Sequence, residues 1–370
     1  MLSSSLGVLN DRVFLELAAL EITGTPSDDE LFGTSGDDWI EGGLGLDEIY
    51  AGAGDDTISG GSNYDETPPA ETSPLDFGDQ GEVILAPGQP VEFLDGGTGV
   101  DTVLLSGPQS SYTLLLGQDG MAIVDRRPGG DDTDRLMHIE FLDFNSELDM
   151  FGGSPMDLDL FGRQPGVGAD ELEGLIELYV AYFNRAPDAI GLSFWANALS
   201  SGATFSDIAA LFMQQDETAA IYPSDLTSGE LVDIVYQNVL SREPDIEGRT
   251  FWVEMLESGL VDQDQLILEV LAGAQAEPHD GATQGFLDQQ ALDRLHLSNK
   301  TDIGAYFAVH RGMSDTENAS TVMELYNGLQ NSVFDAVAAI DDMYSAALDP
   351  LNGEFLMPLV GVMENPFDFG

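Results

Sequence analysis

Five blocks of nine residues follow one another without a gap from Gly24. They read GTPSDDELF, GTSGDDWIE, GGLGLDEIY, AGAGDDTIS and GGSNYDETP, and each carries an aspartate at its sixth place: Asp29, Asp38, Asp47, Asp56 and Asp65. A period this strict constrains the fold more than any local propensity, because each block has to be one structural unit stacked on its neighbours. Glycine at the first, second and fourth places provides positive φ or room for close backbone approach. The eighth place is apolar in the first four blocks, at Leu31, Ile40, Ile49 and Ile58, so each block ends in a very short strand with one inward side chain. Turn plus strand is half a coil. Alternate blocks therefore stack on opposite sides of a flattened parallel β-roll, one with three, two with four and three with five.

Stacked turns of this composition suit a hard cation. Ca2+ takes about six to eight oxygens, which inward backbone carbonyls and one or two carboxylates can supply. The predicted ligand set is the sixth-place row with the fifth-place Asp28, Asp37 and Asp55 beside it. Gly33, Gly42, Gly52 and Gly60 provide the close-approach backbone, and the block count allows roughly three full sites. Neighbouring aspartates repel one another unless a cation neutralises them. Such a site hardly exists in the unfolded chain, so binding free energy is folding free energy and the segment orders with the ion. The pattern has departures. Ala51 replaces the first glycine of block four, and Thr67 stands where block five needs an apolar residue. Glu66 to Pro90, rich in proline and acid, reads as a loop inserted into the roll. A further block, GGTGVDTVL from Gly96 to Leu104, restores the pattern with Asp101 and Val103, but the sequence does not identify the turn it stacks on.

Residues 24 to 65 resemble the repeat region of RTX proteins exported by the type I pathway, which implies calcium-driven folding and an extracellular destination. The stretch after Thr102 is strand-like at Val103 to Ser106, Tyr112 to Leu116 and Met121 to Asp125. A turn at Pro128, Gly129 and Gly130 and the segment Ile139 to Phe144 follow. It resembles the β-rich piece that closes RTX regions, so 24–150 is predicted as a calcium-binding roll with a β-rich cap.

The chain has 370 residues, of which 67 are acidic and 11 basic, a formal charge of -56. That excludes nucleic acid and anionic membrane as partners recruited by charge. A hydrophobic share of 43% separates the chain from disordered acidic tails. The absence of cysteine excludes a disulfide framework. No apolar stretch reaches the ~18 residues of a membrane span. From Met1 to Gly24 the one basic residue, Arg12, follows Asp11, and Glu16 interrupts the apolar run from Val13 to Leu20, which does not read as a signal peptide. Residues 1–23 are predicted instead to cap the first coil as a short helix or strand. After Arg311 neither Lys nor Arg occurs. The RTX resemblance reads that acidic and apolar tail as an uncleaved C-terminal export signal.

Glycine and proline between Pro155 and Gly168 mark a linker, 151–169, beyond which the periodicity is helical. The segment YVAYFNRAPDAIGLSFW from Tyr179 recurs 57 residues later as YQNVLSREPDIEGRTFW from Tyr236, and Leu199, Ser201 and Gly202 match Leu256, Ser258 and Gly259. Each copy reads as helix, turn, helix. Pro187 or Pro244 stops the first helix and can open the second, with Asp188 or Asp245 in its first turn. Arg185 and Arg242 are expected to pair with acids or helix C-terminal carbonyls, and the Phe-Trp pairs to face the core. The duplication resembles an uncharacterised helical domain family that commonly accompanies RTX repeats in exported proteobacterial proteins, and the resemblance supplies no catalytic residue. It places a duplicated helical domain at 170–275. Further amphipathic helices are predicted within 276–370, at Thr283 to His296, Thr301 to Arg311 and Asn318 to Ala347.

The four histidines, His138, His279, His296 and His310, form no zinc spacing, and neither a GxSxG motif nor a P-loop occurs. Carboxylates are too numerous for a glycosidase pair to be singled out. Asp293 and His296, one helical turn apart, read as a surface pair. The chain is therefore expected to be a multidomain β + α protein, a parallel β-roll followed by an all-α domain. Its expected role is that of a non-enzymatic, calcium-binding exported protein of the cell surface or extracellular matrix: an adhesin, matrix or surface-layer component. The partners this leaves open are a second copy of itself or a cell-surface glycan. The alternative is a secreted hydrolase acting on polysaccharide, with the roll as its calcium module.

Overall fold

The first unit to form along the chain is built from half-coils. The structure is a computed structural model that describes residues 19–62, 75–77, 83–85, 91–117, 120–145, 154–161, 166–276 and 283–367. The chain divides into two compact units. One holds the chain up to Asp76 with Ile84–Thr113 and Gly120–Asp159, and the other holds Phe77–Val83, Leu114–Asp119 and Leu160–Gly370.

In the first unit the strands β1 (Glu21–Thr23), β2 (Glu30–Phe32), β3 (Trp39–Leu44), β4 (Glu48–Tyr50) and β5 (Thr57–Ser62) alternate between two sheets. After β6 (Leu75–Phe77) and β7 (Val83–Leu85) come β8 (Glu92–Asp95), β9 (Thr102–Leu105), β10 (Tyr112–Gly117), β11 (Gly120–Asp125), β12 (Thr133–Met137), β13 (Phe141–Phe144) and β14 (Met156–Asp157). One sheet runs β1, β3, β5, β9, β13, all parallel, with Ile22, Ile40, Ile58, Val103 and Leu142 in register. The other runs β2, β4, β8, β12, also parallel, with Leu31, Ile49, Leu94 and Leu136 in register. The two apolar columns face inward. Ile40, Ile49, Ile58, Leu94, Val103 and Leu142 are wholly buried, so the period-nine pattern has become a core one side chain wide on each sheet.

Blocks one and three pair through β2 and β4, and blocks two and four through β3 and β5. Block five contributes its turn, with Gly61 on Gly43 and Ser62 on Leu44. The strand above β4, however, is β8, from beyond the inserted loop. The reason is visible in the core: Leu94 provides the inward aliphatic group that Thr67 could not. Asp65 and Thr67 lie outside the described residues. The turn missing from the sequence reading is block four. β9 pairs with β5, and Thr98 is bridged to Ala53, so the block from Gly96 stacks on the one from Ala51.

Part of the predicted cap turns out to be further levels of the coil: β12 continues one sheet and β13 the other. β11 joins β12 and β14 joins β13 antiparallel, with β10 beyond β11. The linker predicted at 151–169 needs correction for this reason. Met156 and Leu158 are buried, β14 pairs with β13, and Leu158–Phe161 is a 3-10 turn. At the amino end, Glu21–Thr23 is strand. The rest of the predicted cap, residues 1–18, lies outside the described residues.

The second unit is helical: α1 (Ala169–Phe183), α2 (Ala189–Ser200), α3 (Phe205–Phe212), α4 (Asp216–Ile221), α5 (Ser228–Leu240), α6 (Ile246–Glu257), α7 (Gln263–Gln275), α8 (Gln284–Ala305), α9 (Thr316–Leu325) and α10 (Gln330–Ala347). The two sequence copies occupy α1 with α2 and α5 with α6. Each first helix ends in a left-handed residue, Asn184 or Ser241. Each second helix is capped by its aspartate, Asp188 accepting from Gly191 N and Asp245 from Gly248 N, both at 2.7 Å. The aspartates are thus the caps themselves rather than first-turn residues, and Pro187 and Pro244 precede the helices they were expected to open. Arg185 bonds Glu217 at 2.7 Å, and Arg242 grips both oxygens of Asp293 at 2.7 Å.

Four helical expectations are corrected. The helix predicted at Asn318 to Ala347 is two, α9 and α10, with residues 326–329 between them. Phe194 and Phe251 are exposed, while Trp195 packs edge-on against Phe212 and Trp252 donates to the Tyr236 hydroxyl. The helices predicted at Thr283 to His296 and Thr301 to Arg311 are one continuous α8, followed by a wide π turn at Tyr306–His310. Leu297, Lys300, Thr301 and Ile303 are all buried, which carries the helix through Ser298 and Asn299. Asp293 is held by Arg242 rather than by His296, whose Nδ1 meets the Tyr326 hydroxyl at 2.7 Å. Among the described residues, no helix is long and apolar enough to cross a membrane.

Candidate metal centre

Two residues before each inward aliphatic side chain after Ile22 stands an acid, and the coil stacks these acids in two rows. One row is Asp38, Asp56, Asp101 and Glu140, and the other is Asp29, Asp47, Glu92 and Asp134. Asp47 and Asp101 have no exposed surface, and Asp38 and Asp56 almost none. Each sixth-place carboxylate serves the level beneath it. Asp56 Oδ1 accepts from Asp38 N at 2.7 Å, Asp101 Oδ1 from Asp56 N at 2.8 Å and Asp47 Oδ1 from Asp29 N at 2.9 Å. At the top of its row Glu140 does the same for Asp101 N, at 2.6 Å.

The second oxygens divide the turns into two kinds. In blocks one and two the second place is threonine. There Asp29 Oδ2 accepts from Thr25 N and Oγ1 at 2.5 and 2.8 Å, and Asp38 Oδ2 from Thr34 N and Oγ1 at 2.6 and 3.0 Å. Where the second place is glycine, Oδ2 of Asp47, Asp56 and Asp101 is buried without a hydrogen-bond partner among the described residues. First-place glycines face the Oδ2 atoms of Asp38, Asp47 and Asp101, whereas Ala51 holds that place in the block of Asp56. A Cβ on Gly33 would sit 2.8 Å from Asp38 Oδ2 and overlap the Ala51 carbonyl, and one on Gly42 or Gly96 would overlap Oδ2 of Asp47 or lie 2.5 Å from that of Asp101. Gly52 and Gly54 hold φ of 111° and 124°, a backbone that side chains resist.

The fifth-place aspartates are elsewhere. Asp28, Asp37 and Asp55 point to solvent, and each accepts a backbone N–H from the next turn, from Leu46, Asp55 and Val100 at 2.9, 2.9 and 3.0 Å. They fasten turn to turn and stand apart from the buried row.

Electrostatics sharpen the picture. No Lys, Arg or His occurs between Arg12 and Arg126, so no basic side chain of the repeats can neutralise the row. Burial pushes the carboxyls of Asp47 and Asp56 up, and that of Asp101 up to about 6; neighbouring aspartates add to the effect. A buried carboxylate with an unpartnered oxygen is costly unless a cation or proton meets it. Three such oxygens, two of them beside first-place glycines, fit a hard divalent ion. Among the described residues no three Asp, Glu or His side chains converge as a cage.

Comparison with known proteins bears on the same residues. The RTX calcium-binding nonapeptide repeat matches residues 23–58 and 32–66. These turns are RTX repeats. A domain of unknown function matches residues 175–222 and 209–276, the helical segments that follow the RTX unit along the chain. Among solved structures, the extracellular lipase LipA from Serratia marcescens is similar at 15% identity with a TM-score of 0.15, over 36% of this chain and 15% of that one. No curated protein matches the chain.

Sequence reasoning missed Glu92, Asp134 and Glu140 as members of the acid rows. The signal that finds them is the dyad acid-x-aliphatic: Glu92 before Leu94, Asp134 before Leu136 and Glu140 before Leu142 repeat the spacing of Asp47 before Ile49.

Proposed function

We propose that the RTX unit is a calcium-folded roll in an exported protein that acts at the cell surface or in the extracellular matrix, as an adhesin, matrix or surface-layer component. The observation that carries this is the set of partnerless buried oxygens on Asp47, Asp56 and Asp101 in a stretch without a single base. Asp38, Asp56 and Asp101 on one edge, and Asp29 and Asp47 on the other, would hold the ions, with turn carbonyls completing the shell. The fifth-place aspartates remain turn fasteners. When bound, calcium supplies positive charge and ligand exchange, with no chemical step. Extracellular modules bind it at roughly 0.1–1 mM, so the roll stays open in the cytosol and closes outside. The helical domain is read as the part that meets a second copy or a surface glycan. The test is a circular-dichroism titration of the full chain with calcium and with chelator. Calcium should raise the β signal and the melting temperature of the roll, and an unchanged spectrum would overturn the reading.

One observation favours a hydrolase as the second reading. In the helical unit a cavity of about 350 Å3 is lined by Glu173, Glu177 and Asp302 among others. Burial, with Glu173 nearby, pushes Glu177 up to about 7 and Asp302 up to about 6, the range of a general acid. Polysaccharide hydrolysis that Glu177→Gln abolishes without unfolding the chain would establish it.

A further inference from the structure

The buried acid row runs past the nonapeptides to a level that contains none. Glu92 opens β8 one register step above Asp47 and is 0% exposed; Asp134, 2% exposed, lies in register beside it on β12. Neither oxygen of Glu92, nor Oδ1 of Asp134, has a hydrogen-bond partner among the described residues. Two carboxylates side by side in the interior, with no donor between them, are among the least favourable arrangements a fold can hold. A shared proton leaves one net negative charge buried. A divalent cation leaves none.

The backbone offers the same opening here as in the turns below. A Cβ on Gly60, the first place of block five, would overlap Glu92 Oε2 and come within 3.4 Å of Asp134 Oδ1, as one on Gly42 would overlap Asp47 Oδ2. Glu92 thus occupies the station of the sixth-place aspartate that block five would have supplied had the insertion not intervened. We infer that Glu92 and Asp134, against Gly60, bind a further divalent hard cation, Ca2+, where the roll resumes after the insertion. Carboxylates alone would supply up to about four of its oxygens, with carbonyls and water for the rest. Such an ion would pin β8 and β12 to the RTX turns. The inference rests on the calcium reading only for the identity of the ion.

Equilibrium dialysis of the full chain counts bound calcium, and thermal melts in calcium and in chelator report stability, for the wild type, Glu92→Gln, Asp134→Asn and the repeat variant Asp56→Asn. Glu92→Gln and Asp134→Asn should each bind one ion fewer than the wild type. Both should melt lower in calcium and higher in chelator, since the buried charge is gone. Gly60→Ala, which fills the cradle and keeps both carboxylates, should also lose one ion, and serves if the charge variants fail to fold. Undiminished calcium in all three, with Asp56→Asn diminished, overturns this site and leaves the repeats' calcium standing. A wild type that binds no calcium overturns both.

Discussion

The two units treat buried charge in opposite ways. In the helical unit each buried ion meets a partner from the chain itself: Arg185 has Glu217, Asp293 has Arg242, and Lys300, almost wholly buried, donates to the Asn238 carbonyl. In the RTX turns the buried carboxylates have only uncharged donors, backbone N–H groups and a threonine hydroxyl, and some of their oxygens have none among the described residues. One unit carries its counterions in its sequence, whereas the other must take them from solution. The sharpest consequence is conditional stability. With calcium at a hundredfold excess over its dissociation constant, each site adds about 2.7 kcal/mol, so three sites add about 8 kcal/mol to the roll and nothing to the helices. A scanning melt in calcium and in chelator should show the β transition collapse while the helical one holds its temperature. Joint movement of both transitions would break the comparison.

Next in size is a test of the self-neutralised unit. Arg242→Ala leaves Asp293 buried without its bidentate partner, a change expected to cost about 3 kcal/mol. The loss should be the same in calcium and in chelator, read as a fall in the helical melting temperature.

How far the sequence foretold this division depends on what each residue signals. The roll was legible because glycine turns and a sixth-place aspartate recur with one period, and that period alone fixes register. Glu92 was not legible. It is a glutamate, it follows an insertion, and its one local mark, an aliphatic residue two places on, is too common to register without the coil. Asp134 and Glu140 were hidden in the same way, so β12 and β13 read as part of a separate cap when they continue the ladder. In the helical half, α8 was split because Gln290, Asp293, Lys300 and Thr301 sit on its buried face, where polar residues blur the 3.6 period. What fills that face is decided by partners distant in sequence, Arg242 and the Asn238 carbonyl among them.

Acid acts with opposite sign on the buried His310 of one unit and the buried Asp101 of the other. Burial holds the His310 imidazole down at about 4, below its unfolded value of about 6.5, so the stability it contributes is present above 6.5 and lost as pH falls toward 4, by about 2–3 kcal/mol. In chelator the roll has the reverse sign. The Asp101 carboxyl is raised to about 6, above its unfolded value of about 3.9, so its contribution is present below 3.9 and lost as pH rises through 6. Melts from pH 7 to 5 should therefore show the calcium-free β transition rising; in the helical unit the raised carboxyls of Glu177 and Asp302 act against His310, so the histidine's share is read as the difference between the wild type and His310→Gln. With calcium the β slope should turn over, because the ion needs the ionised carboxylate.

The charge itself can be removed one step at a time. Asp56→Asn keeps the shape of the side chain and the acceptor for Asp38 N, but takes away the anion. In chelator it should stabilise the roll, and in calcium it should destabilise it, by about 1–3 kcal/mol either way. A loss of equal size in both conditions would mean that Asp56 serves only as a hydrogen-bond acceptor.

The smallest effect separates the two kinds of RTX turn. Thr34 satisfies Asp38 Oδ2 from within its own block, through N and Oγ1, whereas Asp56 above it on the same edge has no such donor. Block two therefore needs an ion less than block four does. Thr34→Gly removes the hydroxyl and loosens the turn, so the calcium-free roll should lose about 1 kcal/mol. The oxygen, left with the backbone N–H as its one donor in the turn, should in turn bind calcium more tightly, and dialysis should show the midpoint of uptake shifting to lower concentration. If the melt drops and the midpoint stays where it was, the threonine is simply a turn former, and the contrast between self-satisfied and ion-satisfied carboxylates holds only between the units and not within the roll.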